Sequence, residues 1–156
     1  MRINGMVLAT ASLLLAIGVS AADNKDALKG DREKLQGQWQ LVSIAVEGKI
    51  ITREGVPQEW KGTFEKDLLV RGDRFGQVGN SNAKFELDDT RDPKQITVRD
   101  ADGTLTFRGI YTLDGDTLKV CMNGDGGDVR RPEEFVTKQG TPLLLMVLKK
   151  APVDKK

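Results

Sequence analysis

Histidine is absent from the chain, and cysteine occurs once. The first absence removes the commonest general base and the commonest metal ligand. The second excludes an internal disulfide and a cysteine-rich zinc site. Aromatic residues make up only 5%, too few for rows of base-stacking rings. Neither sign of charge is in excess, with 24 Lys and Arg against 23 Asp and Glu. So balanced a chain has no basic field to draw it onto nucleic acid. A nucleophile elbow, a phosphate-binding glycine loop and a metal-ligand cluster are also missing. No cofactor, metal or catalytic residue is therefore expected.

What is present begins with an address. Arg2 precedes an uncharged apolar run from Met6 to Val19, and Ser20-Ala21-Ala22 offers small residues for cleavage. That is the pattern of a secretory signal over residues 1–22. The run falls short of the ~20 residues that a membrane-crossing helix needs. The chain is thus expected to be exported, to the periplasm, the cell envelope or beyond, with no transmembrane segment after processing. Cys121 then reads as a buried, inert thiol.

Residues 23–36 are charged and lack β-branched side chains, so they read as a helical segment. Asp31 is placed to cap a short helix through Leu35. From residue 37 to residue 150 the pattern changes to period two. Short runs of Val, Ile, Thr, Phe and Leu alternate with Gly, Asp, Asn and Pro. Strands are expected near 38–46, 49–52, 62–64, 67–71, 74–78, 84–87, 95–98, 104–113, 117–122, 134–137 and 143–149. Such spacing implies an all-β antiparallel barrel of about 8–10 short strands. Residues 151–156 read as a disordered tail.

One hairpin is placed by its register. Asp114-Gly115 suits a two-residue type I′ turn. That turn sets Tyr111 opposite Leu118, Gly109 opposite Val120 and Phe107 opposite Met122 on one apolar face. On the other face it sets Arg108 opposite Cys121, where the guanidinium would lower the thiol pKa.

Three stretches carry a resemblance. These are Leu35-Gln36-Gly37-Gln38-Trp39-Gln40-Leu41-Val42-Ser43, the hairpin from Gly109 to Cys121, and Arg131-Pro132-Glu133-Glu134-Phe135 before the run Leu143 to Lys150. Together they resemble a family of short, exported, uncharacterised planctomycete domains. Gly37-Gln38-Trp39 after a short helix is also similar to the Gly-x-Trp that opens lipocalin-like barrels. The resemblance implies that Trp39 plugs one end, with a basic side chain of the last strand over it. This chain offers Lys149 and Lys150 where such barrels favour Arg.

The barrel core, or the lining of a ligand site, is expected to include Trp39, Leu41, Phe107, Tyr111, Leu118 and Val120. Arg131, Glu134 and Lys149 are expected to form a structural clamp, with Arg131 pairing to a carboxylate. The acidic turns Asp100-Ala101-Asp102-Gly103 and Asp114-Gly115-Asp116, like Asn123 to Asp128, supply turn residues more readily than a calcium loop. Arg71-Gly72-Asp73 spells an adhesion tripeptide but sits where a turn belongs. Leu143 to Leu148 is apolar on both faces, and Val42, Ile44 and Val46 are expected to face outward from the first strand. The two outer faces would merge into one apolar patch, with Ala27, Leu28 and Leu35 of the N-terminal segment across it.

Two functions follow. One is a barrel that binds a small apolar or amphipathic molecule. The alternative is a cell-envelope protein-interaction module with a filled core. A hydrolase working through carboxylates is a third reading, although sequence spacing pairs none of Glu54, Glu59, Glu65, Glu86, Asp88, Glu133 and Glu134.

Overall fold

The computed structural model describes residues 30–124 and 130–152, apart from the side chains of Asn80 and Ser81. Residues 1–22, expected to be a signal, residues 23–29 with Ala27 and Leu28, residues 125–129 of the acidic turn from Asn123, and residues 153–156 lie outside the described residues. Helix α1 occupies residues 30–35. Strands β1 (Gly37–Val46) and β2 (Lys49–Thr52) follow, then a 3-10 turn (Gln58–Trp60) and α2 (Lys61–Glu65). The rest is β3 (Leu68–Arg71), β4 (Arg74–Gln77), β5 (Asn80–Asp88), β6 (Gln95–Arg99), β7 (Leu105–Asp114), β8 (Thr117–Asn123) and β9 (Leu143–Lys150). Among the described residues no helix is long and apolar enough to cross a membrane.

Each strand from β3 to β9 pairs antiparallel with the next, and β9 returns to β1. Eight strands thereby close a lipocalin-like antiparallel barrel, and β2 lies outside the ring. The first part of the remaining β1 edge pairs with β3, through Gly37 to Trp39. The last part pairs with β2, through Ser43 to Val46. Arg53 bridges the gap between them. Its backbone N–H donates to the Val42 carbonyl, and its guanidinium to the carbonyls of Leu41 and Phe64.

Two expected strands are absent. Residues 62–64 belong to α2, which buries Phe64. Pro57 precedes the 3-10 turn, and this short run packs by turning inward rather than by pairing. Residues 134–137 form no ladder and belong to a strap over the barrel wall.

Period two holds along β1 only as far as Leu41. The register shifts between Leu41, opposite Leu148, and Ser43, opposite Val147. Val42 is the extra residue of a β-bulge, which reverses the facing of everything after it. Ile44, 1% exposed, thus joins Trp39 and Leu41 in the core, and Val46 packs against it. The expected outward row of Val42, Ile44 and Val46 is reduced to Val42.

The β7–β8 hairpin keeps its expected faces but not its expected partners. Asp114 pairs with Thr117, Leu113 with Leu118, Tyr111 with Val120 and Gly109 with Met122. The turn is therefore Gly115-Asp116. Its φ is positive at Gly115 (54°) and not at Asp116, as in a type II′ turn. Both registers place the same residues inside, because they differ by an even step. Gly115→Val should cost roughly 1–3 kcal/mol from strain at positive φ, whereas Lys119→Thr, at an exposed position, should cost under about 0.5 kcal/mol. Urea titration of both variants checks this.

Candidate functional site: a filled interior and a strapped outer face

The barrel end where β1 begins is closed by α1. Leu35 enters the core at 3% exposure, and the Trp39 indole N–H donates to its carbonyl at 2.8 Å. Lys150 Nζ stands 5.5 Å from the Trp39 ring centre and donates to the Lys34 carbonyl. The basic cap over the tryptophan is thus Lys150, while Lys149 points outward and is exposed. Asp31 acts inside the helix rather than as its cap. Its Oδ2 accepts from the Tyr111 hydroxyl at 3.0 Å and from Lys94 Nζ at 2.7 Å. Burial, then the Asp31 charge, pushes the Tyr111 phenol far above its usual value. Gln36 forms two bonds with the backbone of Gly72. That occupies the turn of the Arg71-Gly72-Asp73 tripeptide.

Trp39, Leu41, Phe107, Tyr111, Leu118 and Val120 all lie in one buried cluster. A void beside Phe107, Leu118 and Val120 holds about 10 Å³ and has only apolar walls, including Leu35, Phe75 and Phe85. One water needs roughly that much room and polar partners besides. A drug-sized ligand needs ~300 Å³ or more. Side chains fill this enclosed part of the interior, and a separate, open pocket of about 270 Å³ lies beside Phe75 and Phe107, lined also by Leu68, Val98, Asp100 and Thr106.

The outer face carries a second apolar layer. Ile110 and Cys121 are 1% and 0% exposed, yet they point away from the core. Residues 130–142 cover them. At one end Arg131 donates to the carbonyls of Ile96 and Gly109 and to Thr97 Oγ1. Pro132 and Glu133 line one groove together with Ile110. The Val136 N–H donates to the Cys121 sulfur. At the far end Thr137 Oγ1 accepts from the Gly48 N–H of the β1–β2 turn. The strap therefore crosses the wall from β6 to β1. It provides the cover expected of the N-terminal segment, whose described part plugs the barrel end instead.

The expected clamp does not assemble. Arg131 reaches carbonyls, and Glu134 and Lys149 are exposed. Among the described residues no ion pair joins Arg131 to Glu134. Carbonyls suffice because Arg131 lies over paired strands whose oxygens have spare lone pairs. Burial, then nearby Arg108, lowers the Arg131 pKa, with Asp88 opposing. Two open grooves flank the strap, of about 600 and 510 Å³, and they share Pro132 and Glu133. The first mixes Arg130, Arg131 and Lys138 with Glu133 and Glu134. Among the described residues no three potential metal ligands converge. The turn at Asp100 to Gly103 is satisfied internally, with Asp102 Oδ1 accepting from the Thr104 N–H and the Asp100 carbonyl from the Gly103 N–H.

Cys121 faces Ile110, not Arg108, across the hairpin. Burial pushes its pKa up to about 11 from 9.0. Iodoacetamide should therefore leave the folded protein unlabelled and modify it only after urea is added. The raised value makes the unfolded thiol ionise first. Its contribution to stability is complete below 9.0 and is lost as pH rises to about 11. Urea titrations across that window should show a decline that is shallower in Cys121→Ala.

No family model, curated protein or solved structure matches the chain. The plug and the fold were partly legible from Gly37-Gln38-Trp39. The bonds of Asp31 to Lys94 and Tyr111 were not, since they span 63 and 80 residues, and Arg53 bonds in a gap between strands that alternation does not mark.

Proposed function

We propose that this protein is an exported, cell-envelope interaction module that works through the outside of a filled barrel. The observation that carries the reading is the interior volume of about 10 Å³. It favours an exterior surface over an enclosed small-molecule site. The strap supports the same reading. It holds two open grooves of mixed charge on a rigid wall, a surface suited to protein contacts.

Benzene uptake followed by NMR tests the interior. The native protein should bind none, whereas Phe107→Ala, which empties a large core side chain, should bind it. Native mass spectrometry of protein from its own source gives the contrary case. A small apolar molecule copurifying one-to-one would overturn the reading. The export component predicts an N-terminus at Ala22 or Asp23, and a mature chain still beginning at Met1 would contradict it.

A further inference from the structure

We propose that the free edge of β2 docks an extended acidic and apolar segment of another protein by strand addition. The proposal rests on the exterior being the binding surface and adds the chemistry of the partner. Among the described residues β2 is the terminal strand of the sheet, with β1 on one side only. Its two-residue turn sets Val46 opposite Lys49, Ala45 opposite Ile50, Ile44 opposite Ile51 and Ser43 opposite Thr52. In such a hairpin the pair next to the turn is hydrogen-bonded, and bonded pairs alternate thereafter. Ile51 therefore turns its N–H and C=O toward β1. Ile50 and Thr52 turn theirs outward, where they present an unused ladder.

Between its charged ends this short edge carries one bare apolar side chain. Ile50 is 73% exposed, and on the outer face it continues the row of Ala45 and Leu145. An apolar residue of an added strand, set opposite Ile50, would extend that row.

Charge decides which strand. Lys49 and Arg53 bracket the edge. Among the described residues no carboxylate lies within ion-pair distance of Lys49; Arg53, whose guanidinium holds the Leu41 and Phe64 carbonyls and stands 3.9 Å from Asp67, keeps 43% of its side chain exposed and adds to the positive field of the edge. If two copies paired here, with Ile50 against Thr52 of the other, Lys49 would face Arg53. Like charges directly opposite are destabilising. A heterologous strand with acidic residues at those two places pairs favourably instead.

The probe is the peptide acetyl-Glu-Thr-Val-Val-Glu-amide, titrated into isotope-labelled protein and followed by NMR. Saturable shifts are expected at the amides of residues 49–53, with slowed exchange at Ile50 and Thr52. Exchanging both Glu for Lys should weaken binding about tenfold. Thr52→Pro removes an outward donor and should abolish the shifts. Ile50→Glu, a fully surface change, should do likewise and serves if the proline variant fails to fold. Absence of shifts at millimolar peptide would overturn the proposal, as would protection of Ile50 that grows with protein concentration alone, which would assign the edge to a second copy. Neither result bears on the benzene measurement, so the filled-interior reading stands or falls separately.

Discussion

Trp39→Ala is expected to destabilise the protein by about 3–5 kcal/mol, the range for emptying a large buried aromatic site. The indole is 1% exposed and joins three parts of the chain. Its ring packs in the core, its N–H holds the Leu35 carbonyl, and Lys150 of the last strand covers it. Trp39→Phe keeps most of the volume but strands the Leu35 carbonyl, for about 1–2 kcal/mol. Lys150→Ala should cost under about 1 kcal/mol, since the ammonium remains partly in water. Urea midpoints should rank the three in that order. A Trp39→Ala loss no larger than that of Lys150→Ala would mean that the plug does not depend on the indole.

Gly109→Val should cost about 3 kcal/mol or more, at the upper end for overpacking. A Cβ at this position would lie 2.6 Å from the Cys121 carbonyl oxygen and 3.4 Å from Ile96 Cγ2 and Met122 Cβ. The first of these is backbone, so a strand must move to relieve it. That movement would also displace the Gly109 carbonyl, which accepts from Arg131. The variant should consequently loosen the strap as well as the sheet. Iodoacetamide labelling of Cys121 reads the strap, and denaturant unfolding reads the whole. Gly109→Ala suffices to create the contact and should show the same pattern to a lesser degree.

Why some of this was legible and some not follows from particular residues. Alternation assigns a residue to a face, so Tyr111, Leu118 and Val120 were placed inside correctly. Alternation is blind to an even shift, so it did not separate a turn at Asp114-Gly115 from one at Gly115-Asp116. The turn φ values decide that. It also fails at a bulge, because one inserted residue such as Val42 has no chemical mark. The outer layer misled for a different reason. The first and last strands read as apolar on both faces, and the sequence offered a helical segment to cover them, whereas the covered outward pair is Ile110 and Cys121 of β7 and β8. The cover is an irregular strap instead, built on hydrogen bonds donated by Arg131 and Val136 and accepted by Thr137, which no local pattern reveals. For Arg131 the sequence suggested a carboxylate partner, where the backbone carbonyls of Ile96 and Gly109 serve.

The pairing of β1 with β9 has a consequence for how the chain reaches this shape. On one of the two edges of β1, residues 39–46 find their partners only at 144–150. Until the last strand has emerged, β1 and β8 both present open edges, and the core between them stays wet. Most of the neighbouring pairs, β3 to β8, form locally and can assemble first. The seam must then close across almost the whole described chain, which is a slow, non-local step. A chain that stops before β9 would leave those edges bare and prone to join other chains. The ring is committed only when its final eight residues arrive.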